Sequence, residues 1–287
     1  MLSSLAGVLF DGFAFGMLLF LLSVGLSVTL GMMNFVNLAH CSFAMLGGYT
    51  TVTLVSRFGW PFLATLPMAF IAGALLSIVL ERILYRRLYR ASDLDQCLLT
   101  IGIVFVSVAA FAWFYTSEQQ SARVPAYLKG SFELAGINFA VYRLFLIVFG
   151  LAVTAILILL LEKTHFGSMV RAAVDNQRMA RGLGIDVDRA FMLTFALGGG
   201  LAGLGGALAI EVVGLDPTFA LAYLVYVLIV VAVGGLGSIG GSFAAAVVLG
   251  ISDMAGKYYF PWLGAFLIYL VMVGLLMWRP MGLFGKR

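Results

Sequence analysis

Apolar residues fall along this chain in blocks of roughly 17 to 23, close to the ~20 that cross a ~30 Å hydrocarbon core at 1.5 Å per residue. The blocks predict crossings at about 8–30, 38–56, 60–80, 97–116, 142–161, 190–212, 219–236, 240–256 and 260–278. Segments such as Leu144 to Leu161 are apolar on every side, unlike the alternating strands of a membrane barrel. The expected fold class is therefore all-α: a polytopic transmembrane helical bundle of about 8–10 crossings. The blocks leave room for only three sizeable polar connections, at 81–96, 116–141 and 162–189, and a short tail, so residues 1–287 read as a single transmembrane domain.

Composition agrees with this pattern. The chain is 63% hydrophobic and 10% charged, whereas soluble domains average about 45–50% apolar and about 25% charged residues. The net charge of +4 does not point to nucleic acid, because the basic residues cluster at block ends. Alternating the crossings puts twelve lysines and arginines on 81–96, 162–189 and the tail, against five on the other side: Arg57, Arg123, Lys129, Arg143 and Lys257. Cytoplasmic loops carry the basic excess, so the C-terminus is expected inside and the N-terminus outside. The two cysteines, Cys41 and Cys97, have no second thiol or histidine at metal-ligand spacing. The first positive charge is Arg57, so the first apolar block has no basic leader region and is expected to remain in the mature protein.

Three clusters break the apolar pattern. Asn34, Asn37, His40 and Ser42 interrupt residues 31–42, where each unpartnered polar group in lipid would cost roughly 2–7 kcal/mol. One reading is a short turn in which Asn37 caps the next helix; the other is a broken helix beside a solute path. Gly234, Gly235, Gly237, Gly240 and Gly241 crowd residues 234–241, and at ~1 kcal/mol per glycine a regular helix there is costly. A kink or re-entrant turn lining the path is expected. Gly199, Gly203 and Ala207 recur at four-residue spacing inside the sixth block, as close helix packing requires. Ser42-Phe43-Ala44 and Trp60-Pro61-Phe62 reappear 200 residues later as Ser242-Phe243-Ala244 and Phe260-Pro261-Trp262, which would make a parallel internal repeat of three crossings. Asp11, Glu211 and Asp253 lie near block ends and are read as solvated at the interface; one of them deep in the bundle would be an ion-site candidate.

The connection at 162–189 threads Met169, Val170, Ala173, Met179, Ala180 and Leu183 among charges, predicting a short amphipathic helix over 168–181 with Gly182 and Gly184 as stops. It would be either a plain connector or a docking element. With Asn37-Leu38-Ala39-His40, Met45-Leu46-Gly47-Gly48-Tyr49, Gly167, Arg171-Ala172, Gly184-Ile185 and the 234–241 glycines, the chain resembles the permeases of branched-chain amino acid ABC importers, whose relatives carry urea and short amides. The resemblance covers nearly the whole chain. It implies a permease subunit in a bacterial inner membrane, and a coupling loop at about 162–189 in which Gly167, Arg171, Ala172 and Gly184 would contact an ATPase. It also implies partners: a second permease subunit, two cytoplasmic ATPases and a periplasmic or extracellular solute-binding protein. The Glu-Ala-Ala form of the coupling motif is replaced by Arg171-Ala172-Ala173.

Neither Gly256-Lys257 nor Gly285-Lys286 belongs to a phosphate-binding loop, so no cofactor is expected in this chain, and ATP with Mg²⁺ would sit on the ATPase partner. An ion-coupled transporter or channel is the alternative, and it would place carboxylates in mid-membrane. An enzyme would need convergent catalytic groups, which His40 and His165 do not supply.

Overall fold

The computed structural model describes residues 2–33, 35–89, 91–122, 124–134 and 137–285. The predicted crossings appear as α1 (Leu2–Met33), α2 (His40–Phe58), α3 (Phe62–Leu80), α5 (Asp93–Tyr115), α6 (Val141–Lys163), α9 (Val187–Val213), α10 (Phe219–Gly234), α11 (Ile239–Tyr259) and α12 (Gly264–Trp278). Helices are expected here because lipid offers no partner for a backbone amide. Six of them, α1, α3 with its extension, α5, α6, α9 and α11, are long and apolar enough to cross a membrane. α10 and α12 are shorter, at 16 and 15 residues, and the 19-residue α2 carries His40, Ser42 and several threonines.

α3 continues through a π-helical turn, Glu81–Tyr85, into the single turn α4, Arg86–Leu88. Between α6 and α9 lie α7 (His165–Asp175) and α8 (Gln177–Gly182). The long connection before α6 forms a small hairpin, β1 (Ser131–Leu134) antiparallel to β2 (Ile137–Ala140), with Phe132 paired to Phe139. The apolar periodicity did not announce this hairpin.

α1 and α9 form the centre. α1 is buried almost throughout its apolar stretch, and α9 is buried from Gly198 to Ile210. Glycines let their backbones touch: a Cβ at Gly25 would lie 2.3 Å from the Gly198 carbonyl oxygen. The predicted packing stripe works in the same way, since a Cβ at Gly203 would meet the Ala69 carbonyl of α3 at 2.5 Å and one at Gly199 would meet Ser77. Ala207 is fully buried. α5, α6 and α12 lie outside, with Trp113, Ile156, Leu270 and Met277 exposed as residues facing lipid would be.

Close backbone contact recurs at other helix pairs. Gly12 and Gly16 of α1 press on Gly250 and Ala246 of α11, while Gly199 and Gly203 of α9 press on Gly73 and Ala69 of α3. Gly25 meets Gly198 while Leu21 meets Gly205, so α1 and α9 run in opposite directions.

Candidate functional site

The first interruption is a buried, inward-running segment. After α1 the chain turns back along it, and α2 begins at His40, whose Nε2 lies 3.0 Å from the Leu22 carbonyl oxygen, eleven residues before the end of α1. Backbone amides along this path need partners, and α5 provides them. Val36 N–H donates to Gln96 Oε1 at 2.9 Å and Leu38 N–H to Thr100 Oγ1 at 3.2 Å. Gln96 Nε2 donates onward to the Leu88 carbonyl, tying the segment to the end of α4.

Asn37 does not cap α2 directly. Its Oδ1 accepts from Ala39 N–H and from the Tyr85 hydroxyl, and Ala39 takes the cap position. Asn37, His40 and Ser42 are each 1% exposed, and neither Asn37 Nδ2 nor Ser42 Oγ has a partner among the described residues. Asn34 lies outside the described residues. The reading of a broken helix fits this geometry better than that of a solvated turn. The buried side chains that secure it, Gln96 and Thr100, were not singled out from sequence, although Ser92-Asp93-Leu94-Asp95 just before them carries the capping-box signature that starts α5.

The second interruption is a tight turn between α10 and α11. Gly234 ends α10, and Gly235 and Gly237 take φ of +93° and +78°, a region costly for residues with a Cβ. Ser238 caps α11 by accepting from Gly241 N–H at 3.0 Å, and a Cβ at Gly241 would strike the Gly234 carbonyl. The C-terminal tail closes over the turn: Leu283 N–H donates to the Val233 carbonyl at 2.7 Å and Phe284 N–H to that of Gly234 at 3.2 Å. Gly240 alone of the five has open space beside it. It helps to line a cavity of about 600 Å³ with Gly31, Leu161, Glu162, Arg171, Gly237 and Phe284, which brings the glycine turn together with the loop at 162–189.

That loop is two helices and not one. α7 and α8 are separated at Asn176, whose side chain caps α8 by accepting from Met179 N–H. Val170, Ala173 and Ala180 are buried against Val187, Ala190 and Phe191 at the start of α9. Gly167 packs on the end of α6, where a Cβ would lie 2.0 Å from the Leu161 carbonyl oxygen. The Arg171 guanidinium donates to that same carbonyl, an orphan acceptor at the C-terminus of α6. Ala172 is half-buried, and Gly184 is exposed at φ +82°. The exposed apolar side chains of the loop are Met179 and Leu183, at 65% and 79% exposure. Ion pairs from Arg86 and Arg181 to Asp188 fasten α4 and α8 to α9, making a basic platform at this end.

Of the three acidic residues read as interfacial, Asp11 pairs with Arg143 and Glu211 is exposed, as expected. Asp253 is different. Its side chain is 0% exposed, in a helix that packs against α1, α10 and α12.

A sequence model of the family described as branched-chain amino acid transport system, permease component, matches residues 8–276. The chain belongs to this permease family. It is 28% identical to the probable branched-chain amino acid transport permease protein LivH of Methanocaldococcus jannaschii over 93% of this chain and 89% of that one. It is 24% identical to the high-affinity branched-chain amino acid transport system permease proteins BraD of Pseudomonas aeruginosa and LivH of Escherichia coli, over 97% of this chain and 95% and 94% of theirs. No solved structure matches. A permease of this family is a multi-pass membrane protein, in keeping with the apolar helices described above.

Proposed function

We propose that the chain is the membrane-spanning permease of an ATP-driven importer that carries branched-chain amino acids across the inner membrane. The observation that carries this reading is the family match along almost the whole chain, with relatives matched over 89–95% of their own length and named for that transport. In this reading residues 1–287 act as one transmembrane unit, with the platform of α4, α7 and α8 and the C-terminus on the cytoplasmic side, as the basic excess favours. The partners are a second permease subunit, two ATPases that hold ATP and Mg²⁺, and a binding protein outside. This chain has no catalytic role.

Within the platform, Gly167 and Arg171 fix α7 to the end of α6, so motion of the loop is passed directly to a crossing. Met179 and Leu183, with Gly184, form the knob that enters an apolar cleft of the ATPase, and Ala172 lies on the flank. Near the glycine turn, Gly240 and the buried Asn37 and Ser42 border the solute path; His40 holds the entry segment in place through Leu22. The test is co-purification of the ATPase with Met179→Asp and Leu183→Asp permeases. Loss of the ATPase with a normal amount of permease in the membrane supports the knob, and retention at the wild-type ratio refutes it.

A further inference from the structure

At the end of the bundle away from the arginine-rich platform, α11 buries a carboxylate that is only half satisfied. Asp253 Oδ2 is 2.5 Å from Lys257 Nζ, one turn further along, while Asp253 Oδ1 has no hydrogen-bond partner among the described residues. A buried charge costs several kcal/mol unless both its oxygens are served. A pair kept only for stability would be expected to complete its donors. Lys257 is 51% exposed and stands between Asp253 and the aqueous end, with its ammonium 5.4 Å from the centre of the Phe15 ring. Beside the pair runs an aromatic ladder: Tyr223 and Tyr226 of α10 lie 5.7 Å apart, and Tyr269 of α12 is 6.4 Å from Tyr226. α10, which carries Tyr223 and Tyr226, packs directly against α11.

We propose that Asp253 and Lys257 form a gate that recognises the zwitterionic head of an α-amino acid. The solute ammonium takes the place of Lys257 on Asp253 and uses the vacant Oδ1, while the freed Lys257 ammonium pairs with the solute carboxylate. One internal ion pair is exchanged for two pairs with the solute, so no charge is left bare at any stage. The Phe15 face receives Lys257 as it swings, and the tyrosine faces suit an ammonium passing inward. A solute that lacks either the ammonium or the carboxylate cannot make this exchange. The inference rests on the amino-acid reading above, and its site is separate from the glycine turn and the platform.

The experiment is ATP-driven uptake of labelled leucine, below saturation, by proteoliposomes of the complete transporter carrying Asp253→Asn, or Asp253→Asn together with Lys257→Gln. A charge-assisted bond is worth ~1.5–3 kcal/mol, so uptake is expected to fall by about 10- to 100-fold in both, with stimulation of ATP hydrolysis by the loaded binding protein retained. A structural pair behaves otherwise: the double variant, which leaves no buried charge unpaired, would recover wild-type uptake, and that result overturns the gate. Wild-type uptake by Asp253→Asn overturns it as well. Should Asp253→Asn not reach the bilayer, the double variant decides alone by the same criterion. An assembled wild-type transporter that moves another solute but no leucine would instead refute the amino-acid reading.

Discussion

Two glycines separated by 34 positions make a matched test of how the bundle is held together. Gly206 lies inside α9, where an added Cβ would be 1.8 Å from the Ala44 carbonyl oxygen of α2; Gly240 lies in the first turn of α11 with nothing within 4 Å. Real Cβ atoms are essentially never found under 3.0 Å from such an atom, so Gly206→Ala must part α2 and α9 by about 1.2 Å, the difference between 3.0 and 1.8 Å. Backbone carbonyls on both sides cannot rotate away as a side chain could. Overpacking of this kind costs about 1–3 kcal/mol, against which alanine returns up to ~1 kcal/mol of helix propensity. With the full ~1 kcal/mol returned, the expected net loss for Gly206→Ala is therefore about 0–2 kcal/mol, while Gly240→Ala should be neutral or slightly stabilising. Thermal unfolding of the detergent-solubilised permease, followed by its monodisperse fraction, reads both. Equal midpoints for the two variants, or a lower one for Gly240→Ala, would refute the view that α9 is locked by backbone contact.

Other outcomes follow from the same geometry. Gln96→Leu removes the acceptor for Val36 N–H, and an unsatisfied buried amide costs about 1–3 kcal/mol, so the unfolding midpoint should fall well below that of Leu94→Gln on the exposed side of α5. Arg171→Ala should loosen α7 from α6, seen as faster amide hydrogen exchange over residues 165–175, whereas an unchanged rate would mean that the Leu161 carbonyl contact holds nothing. A membrane-impermeant maleimide added to cells should modify Ser121→Cys and not Arg178→Cys; the opposite pattern would invert the topology and remove the platform from the cytoplasm.

Much of this architecture is legible in the sequence because bilayer thickness imposes a length on each crossing. Every predicted block became a helix, and side-chain caps at Ser92 and Asp186 start α5 and α9 a few residues ahead of the expected ends. Gly199 and Gly203 could be read as packing glycines because only small residues permit backbone contact, but that they would touch Gly73 and Ala69 of α3 depends on tertiary packing that no local pattern encodes. Asp253 illustrates the opposite limit. Its position near a block end resembles that of Glu211, yet it is fully buried while Glu211 is exposed, and no local pattern carries that information. The same holds for the tail over Gly234, whose hydrogen bonds join segments 50 residues apart.

The central claim, that this chain carries amino acids only under ATP power, is tested most directly by reconstitution. Proteoliposomes with this permease, its partner permease, the two ATPases and the loaded binding protein should accumulate labelled leucine when ATP is enclosed, and should stop when the ATPases are omitted. Accumulation driven by a proton or sodium gradient with the ATPases absent would contradict the account and identify the chain as an ion-coupled transporter.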